Sequence, residues 1–92
     1  MSATTEMPRY QCHKQVWALK IRAIHQFNGK SSFEGGSWML DFEEKGYAPI
    51  EVSHYDYVLK HLPEPGGYYV VYADGYRSFS PAEAFENGYT RI

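Results

Sequence analysis

Apolar and polar positions sort most clearly along Lys14 to Ile24, where two periods compete. At a spacing of two, Trp17, Leu19, Ile21 and Ala23 face one way while Lys20 and Arg22 face the other. At a spacing near 3.6, Trp17, Ile21 and Ile24 form a helical stripe. The clean separation of apolar from basic positions favours a strand, entered through Tyr10 to His13. Asn28-Gly29 offers a turn, and Ser31 to Gly36 reads as a loop. Ser37 to Phe42 alternates again, with Trp38, Leu40 and Phe42 on one face. After the polar turn Glu43 to Gly46, Tyr47 to Val52 predicts a further strand with Ala48, Ile50 and Val52 inward. Pro49 has no amide hydrogen to give a ladder, which places that strand at an edge.

The pattern then changes period. Ser53 followed by Asp56 resembles a capping box, and Tyr55, Val58, Leu59 and Leu62 make a helical stripe over about 53–62. Pro63 stops it, and Pro65, Gly66 and Gly67 extend the break. Tyr68 to Tyr72 is aromatic and β-branched, as strands are. Ala73-Asp74-Gly75-Tyr76 predicts a hairpin through a type I′ turn, with Tyr76 to Phe79 returning antiparallel. Ser80 as N-cap, Pro81 at the first helical position and Glu83 three residues after the serine predict a helix over about 81–87. Phe79 and Ala84 stand where a hydrophobic staple would be, and Gly88 where a left-handed closing residue would be. Tyr89 to Ile92 predicts a short last strand. The fold class is α+β: a small single domain over 10–92, behind a flexible tail at 1–9. It has a mainly antiparallel sheet of about five to six short strands, with two short helices laid on one face.

Composition sharpens this picture. A chain of 92 residues has room for one modest core. Aromatic residues make up 17%, and nine tyrosines supply most of them, so many rings should sit at the core's margin with their hydroxyls near water. Net charge is −2 but uneven. Arg9, Lys14, Lys20, Arg22 and Lys30 face only Glu6 in the first thirty residues, and the middle of the chain is acidic. One cysteine, Cys12, forms no internal disulfide. With no apolar leader and no run of membrane-spanning length, the expectation is a soluble protein of a reducing cytoplasm. A core this small also keeps a homo-oligomer in play.

Little in the chain points to chemistry. Cys12, His13, His25, His54 and His61 lack metal-ligand spacing, and His54 and His61 lie roughly 10 Å apart along a helix. Cys12 and His13 are neighbours on a strand and point to opposite faces, which is no nucleophile–base pair. No nucleophile elbow, zincin motif or phosphate loop is present. The expectation is therefore no enzyme, no metal and no cofactor. The tyrosine-rich hairpin is the better lead, because exposed rings anchor partners. The candidate binding residues are Trp17, Lys20 and Arg22 on the first long strand and Tyr69, Tyr72, Tyr76 and Arg77 on the hairpin. A protein partner or a small anionic ligand fits this set, whereas the overall acidity argues against nucleic acid.

The segments YQCHKQVWALKI (Tyr10 to Ile21), GYAPIEV (Gly46 to Val52) and GGYYVVYADGYRSFSPAEAFENGYTRI (Gly66 to Ile92) resemble a family of small uncharacterised proteins encoded by tailed bacteriophages and prophages. The resemblance implies an accessory protein acting in the bacterial cytoplasm and transfers no activity and no catalytic residue. The functional expectation is a non-enzymatic binding module. A homo-oligomeric assembly component and a nucleic-acid binder that stacks bases on tyrosines are the alternatives.

Overall fold

The computed structural model describes residues 7–11 and 15–92. Its strands are β1 (Arg9–Gln11), β2 (Gln15–Gln26), β3 (Ser37–Phe42), β4 (Ile50–Ser53), β5 (Tyr68–Tyr72), β6 (Arg77–Ser80) and β7 (Thr90–Arg91). Helix α1 is a π-helical turn over His54–Val58 continued by an α-helical turn over Leu59–His61, and α2 spans Ala82–Gly88. All pairings among the described strands are antiparallel. The α+β class expected from the pattern is the one observed.

Strand β2 organises the sheet. Its first half pairs with β1 from Gln15 to Trp17 and with β5 from Val16 to Lys20. Its second half pairs with β3 from Ile21 to Gln26. The register shifts between Ile21 and Ala23. Such a bulge inserts one residue, here around Arg22, and resets which face the next side chains meet. Ile21 and Ile24 thus pack on the same core although they are three residues apart. The helical stripe in the sequence was the trace of this bulge, and Ile24 takes the inward place expected for Ala23.

Both faces of the sheet are covered, which corrects the expectation of helices on one face. Even positions Val16, Ala18, Tyr68 and Val70 pack with Phe85 of α2. Odd positions Leu19, Ile21 and Tyr69 pack with Leu40, Phe42, Val52 and Tyr57 of α1. Alternation in β2 and β5 sends neighbouring residues to opposite cores, so the two strands are buried on both sides. Phe85 is the centre of the first core. Its ring stacks on Tyr68 at 4.3 Å and Tyr89 at 4.5 Å and meets Tyr10 edge-on at 4.8 Å.

Several local devices differ from expectation. At the hairpin only Gly75 has a positive φ, 90°, whereas a type I′ turn needs two such residues. The Gly75 amide bonds the Tyr72 carbonyl at 2.8 Å and the Tyr72 amide bonds the Tyr76 carbonyl at 2.9 Å. This is a three-residue loop, a turn followed by a left-handed glycine bulge. Asp74 accepts from the Tyr76 amide and braces it. Ser80 remains in β6 opposite Tyr68, so Pro81 becomes the N-cap of α2 and no side chain caps that end. Phe79 packs on the α1 side of the sheet, away from α2, so the staple is not formed. Gly88 is an ordinary helical residue followed by extended Tyr89, because the chain runs straight on to pair β7 with β1. At α1, by contrast, Ser53 does accept from the Asp56 amide at 3.0 Å. Pro49 lies just before β4, an edge strand as expected.

The expected tail at 1–9 lies partly outside the described residues. Met7 packs on the core, the Pro8 carbonyl accepts from the Ala18 amide at 2.9 Å, and Arg9 opens β1. Cys12 and His13 lie outside the described residues.

Two substitutions test this architecture. Phe85→Ala empties the centre of the α2-side core and should cost about 3–5 kcal/mol in urea unfolding; a loss below about 1 kcal/mol would mean that α2 is not a core element. Gly75→Val meets no atom within 4 Å, so its cost is backbone strain alone. A fall of about 1–2 kcal/mol is expected, and unchanged stability would refute the glycine bulge.

Candidate functional site

The widened first turn of α1 decides which of its side chains face inward. The Leu59 amide bonds back to the His54 carbonyl, a reach of five residues. Tyr57 is thereby buried, at 4% exposure, and its hydroxyl donates to the Ser78 carbonyl at 2.7 Å. Of the expected stripe of Tyr55, Val58, Leu59 and Leu62, only Val58 packs on the core; the other three turn outward. Tyr55, Leu59 and Leu62 are 61, 52 and 69% exposed. Leu62 also takes a left-handed φ of 50°, which is costly for a residue with a side-chain branch.

Between α1 and the β5–β6 turn lies an open cleft of about 420 Å³. Phe33 and Tyr55 form one wall, Tyr57 and His61 the floor, and Tyr76 and Arg77 the other wall, with Asp56 and Lys60 also lining it. The wall residues are held from behind. The ring of Tyr55 lies against Gly35 so closely that a Cβ there would sit 2.1 Å from it. Phe33 belongs to a loop pinned by Glu51, which accepts from the Ser37 hydroxyl and the Ser32 amide. These bonds hold the Glu51 carboxyl below its ordinary value, the Ser37 bond most of all. Tyr76 stacks on Tyr72 at 6.0 Å and bears the Lys60 ammonium 5.5 Å from its ring centre.

The electrostatics of the cleft are mixed. Its cations, Lys60 and Arg77, make no ion pair among the described residues. Among the described residues that line it, the one carboxylate is Asp56. His61 packs on the Tyr57 ring at 5.0 Å, and its Nε2 lies 3.5 Å from the Tyr76 hydroxyl. Burial, reinforced by the Lys60 charge, holds His61 below the usual imidazole value, so it is neutral at pH 7. Burial likewise raises the Tyr57 phenol, with Arg77 opposing.

A second cleft, of about 550 Å³, lies on the other side of Tyr76 and is lined by Gln15, Trp17, Tyr72, Ala73 and Asp74. Tyr76, itself 45% exposed, is the ridge shared by both.

The candidate residues divide four ways. Trp17, Tyr72, Tyr76 and Arg77 gather around the paired clefts. Tyr69 does not belong to the surface, because at 2% exposure it is a core residue facing Tyr57 and Phe42. Lys20 sits on the α2 side, where it pairs with Glu86 at 3.3 Å. Arg22 projects from the bulge near Asp41, at 3.9 Å. Sequence reasoning missed Phe33, Tyr55, Lys60 and His61. The spacing of Tyr55, Leu59 and Leu62 was visible, but nothing in it said that the stripe faced solvent.

No family model, no curated protein and no solved structure matches the chain. Among the described residues no group of three or more His, Cys, Asp and Glu is placed to hold a metal ion, and no helix is long and apolar enough to cross a membrane.

The His61 environment has a measurable consequence. Its folded pKa lies below the unfolded value of 6.5, so the unfolded chain takes up the proton more readily. The associated stability is complete above that pH and is lost as pH falls through it towards the lower folded value. Urea titrations of His61→Gln should therefore give a flatter stability profile than wild type between about pH 7 and pH 5. Parallel profiles would show that His61 is no more buried than a surface imidazole.

Proposed function

We propose that the chain is a small phage-encoded accessory protein that acts as a non-enzymatic binding module in the bacterial cytoplasm. Its binding surface on this reading is the aromatic cleft between α1 and the β5–β6 turn. The phage origin is supported by the sequence resemblance of Tyr10 to Ile21, Gly46 to Val52 and Gly66 to Ile92. The binding role is carried by one observation: an open cleft of about 420 Å³ walled by rings that no core needs. Concave, mostly apolar surfaces with a few convergent polar groups are where proteins hold ligands and partner side chains. His61 sits in the cleft among aromatic rings. It meets two tyrosines, and no serine, cysteine or carboxylate stands within bonding reach among the described residues.

Self-association is a second reading, favoured by the exposed Tyr55, Leu59 and Leu62 beside the cleft. Light scattering separates it: a strict monomer at high concentration removes it.

The binding reading is tested by capture from bacterial lysate with wild type and with Tyr76→Ser as bait. Wild type should retain a stoichiometric protein or small molecule that the variant loses. Identical recoveries from both baits would show that the cleft is not the binding surface.

A further inference from the structure

We infer that the cleft between α1 and the β5–β6 turn takes a small aromatic phosphate, a planar ring carrying one phosphate group, of which a nucleoside monophosphate is the natural type. This deepens the binding-module reading and rests on it. The ring half of the ligand follows from Tyr55. Its side chain is 61% exposed, yet its Cδ2–Cε2 edge abuts Gly35, whose φ of 87° and missing Cβ make room for it. An exposed ring that is already immobilised loses little entropy when another ring stacks on it. Phe33 stands beside it as a second apolar wall.

The anionic half follows from the charges. Lys60 and Arg77 reach the same cleft from α1 and from β6, and no carboxylate of a described residue pairs with either. A guanidinium with its donors uncommitted is suited to phosphate, which it can meet through two parallel hydrogen bonds. The whole chain has a net charge of −2, so a locally cationic cleft is a departure from its surroundings. Asp56 sets the upper limit on ligand charge. With His61 neutral, the described lining carries two positive groups against one negative, which matches a single phosphate and leaves most of the charge of a polyphosphate chain uncompensated. The cleft's volume, about 420 Å³, is in the range of small-ligand sites.

Isothermal titration of the whole chain at low salt tests this with three probes: AMP, adenosine and inorganic phosphate. AMP should bind at least about ten-fold more tightly than either fragment, because both halves of the site are engaged at once. Arg77→Gln should weaken AMP about ten-fold and leave adenosine unchanged. Tyr55→Leu should weaken AMP and adenosine alike and leave phosphate unchanged. Both positions are exposed, so the variants should keep the wild-type far-ultraviolet circular dichroism and urea midpoint. The inference is overturned if AMP binds no tighter than inorganic phosphate, or if Arg77→Gln leaves AMP affinity intact. If AMP fails while Tyr76→Ser still abolishes capture of a lysate partner, the ligand class is wrong and the binding-module reading stands. If both fail, the cleft is not a binding surface.

Discussion

The constraint on which the rest of the structure depends is the burial of β2 on both of its faces. A strand in a small antiparallel sheet ordinarily keeps one face for water. Here Val16 and Ala18 point into one core, and Leu19 and Ile21 into the other. Two half-domains are thereby tied to a single backbone: α2 on one side, α1 with β3 and β4 on the other. The bulge near Arg22 completes the arrangement. Without the extra residue, Ile24 would face away from Leu40, its partner on β3. Past the bulge the strand needs only one buried face, and Arg22 can leave the sheet towards solvent.

Two small cores explain the excess of tyrosine better than a binding face does. Tyr10, Tyr68 and Tyr89 surround Phe85, while Tyr57 and Tyr69 fill the opposite core with Tyr47 at its margin. A large ring with a polar tip suits a thin core, because it buries much area and reaches the edge for its hydrogen bond. Tyr68 does this through Glu86 at 2.8 Å, and Tyr57 through the Ser78 carbonyl. Burial raises the phenols of both, which reinforces their role as donors. Outside those sets, Tyr55 and Tyr76 line the clefts, and Tyr72 lines one cleft while also packing on the α2-side core. The exposed aromatic surface is therefore smaller than the composition suggests, and it is centred one element away from the strand that looked richest.

The cleft itself arises from a local departure from regular geometry. The π-helical turn at the start of α1 gives the Tyr57 ring its place in the core and its hydroxyl a partner. The same turn rotates Tyr55, Leu59 and Leu62 into water and sets Lys60 and His61 against the hairpin. The left-handed Leu62 and the close approach of Tyr55 to Gly35 belong to the same region. Strained or irregular backbone of this kind gathers where a surface is shaped for contact.

The elements with strong local signals were legible in the residues alone. These are the strand character of 15–26, 37–42 and 68–72, the serine cap of α1, the glycine-dependent hairpin and the edge position of β4. They depend on backbone chemistry and side-chain alternation within a few residues, and such rules operate without knowledge of partners. The α+β class followed from their order. Other features were decided only when distant segments met. The helical stripe of Trp17, Ile21 and Ile24 became a bulged strand because β3 supplied the pairing. Ser80 lost its cap to the pairing with Tyr68, and Gly88 its left-handed turn to the pairing of β7 with β1. Tyr69 went to the core and Tyr55 to the surface because the burial of Tyr57 set the rotation of α1. Each of these outcomes trades a local preference for burial or hydrogen bonding between residues far apart in sequence. Periodicity within one segment carries no information about that exchange, and so the cleft appears only in the folded chain.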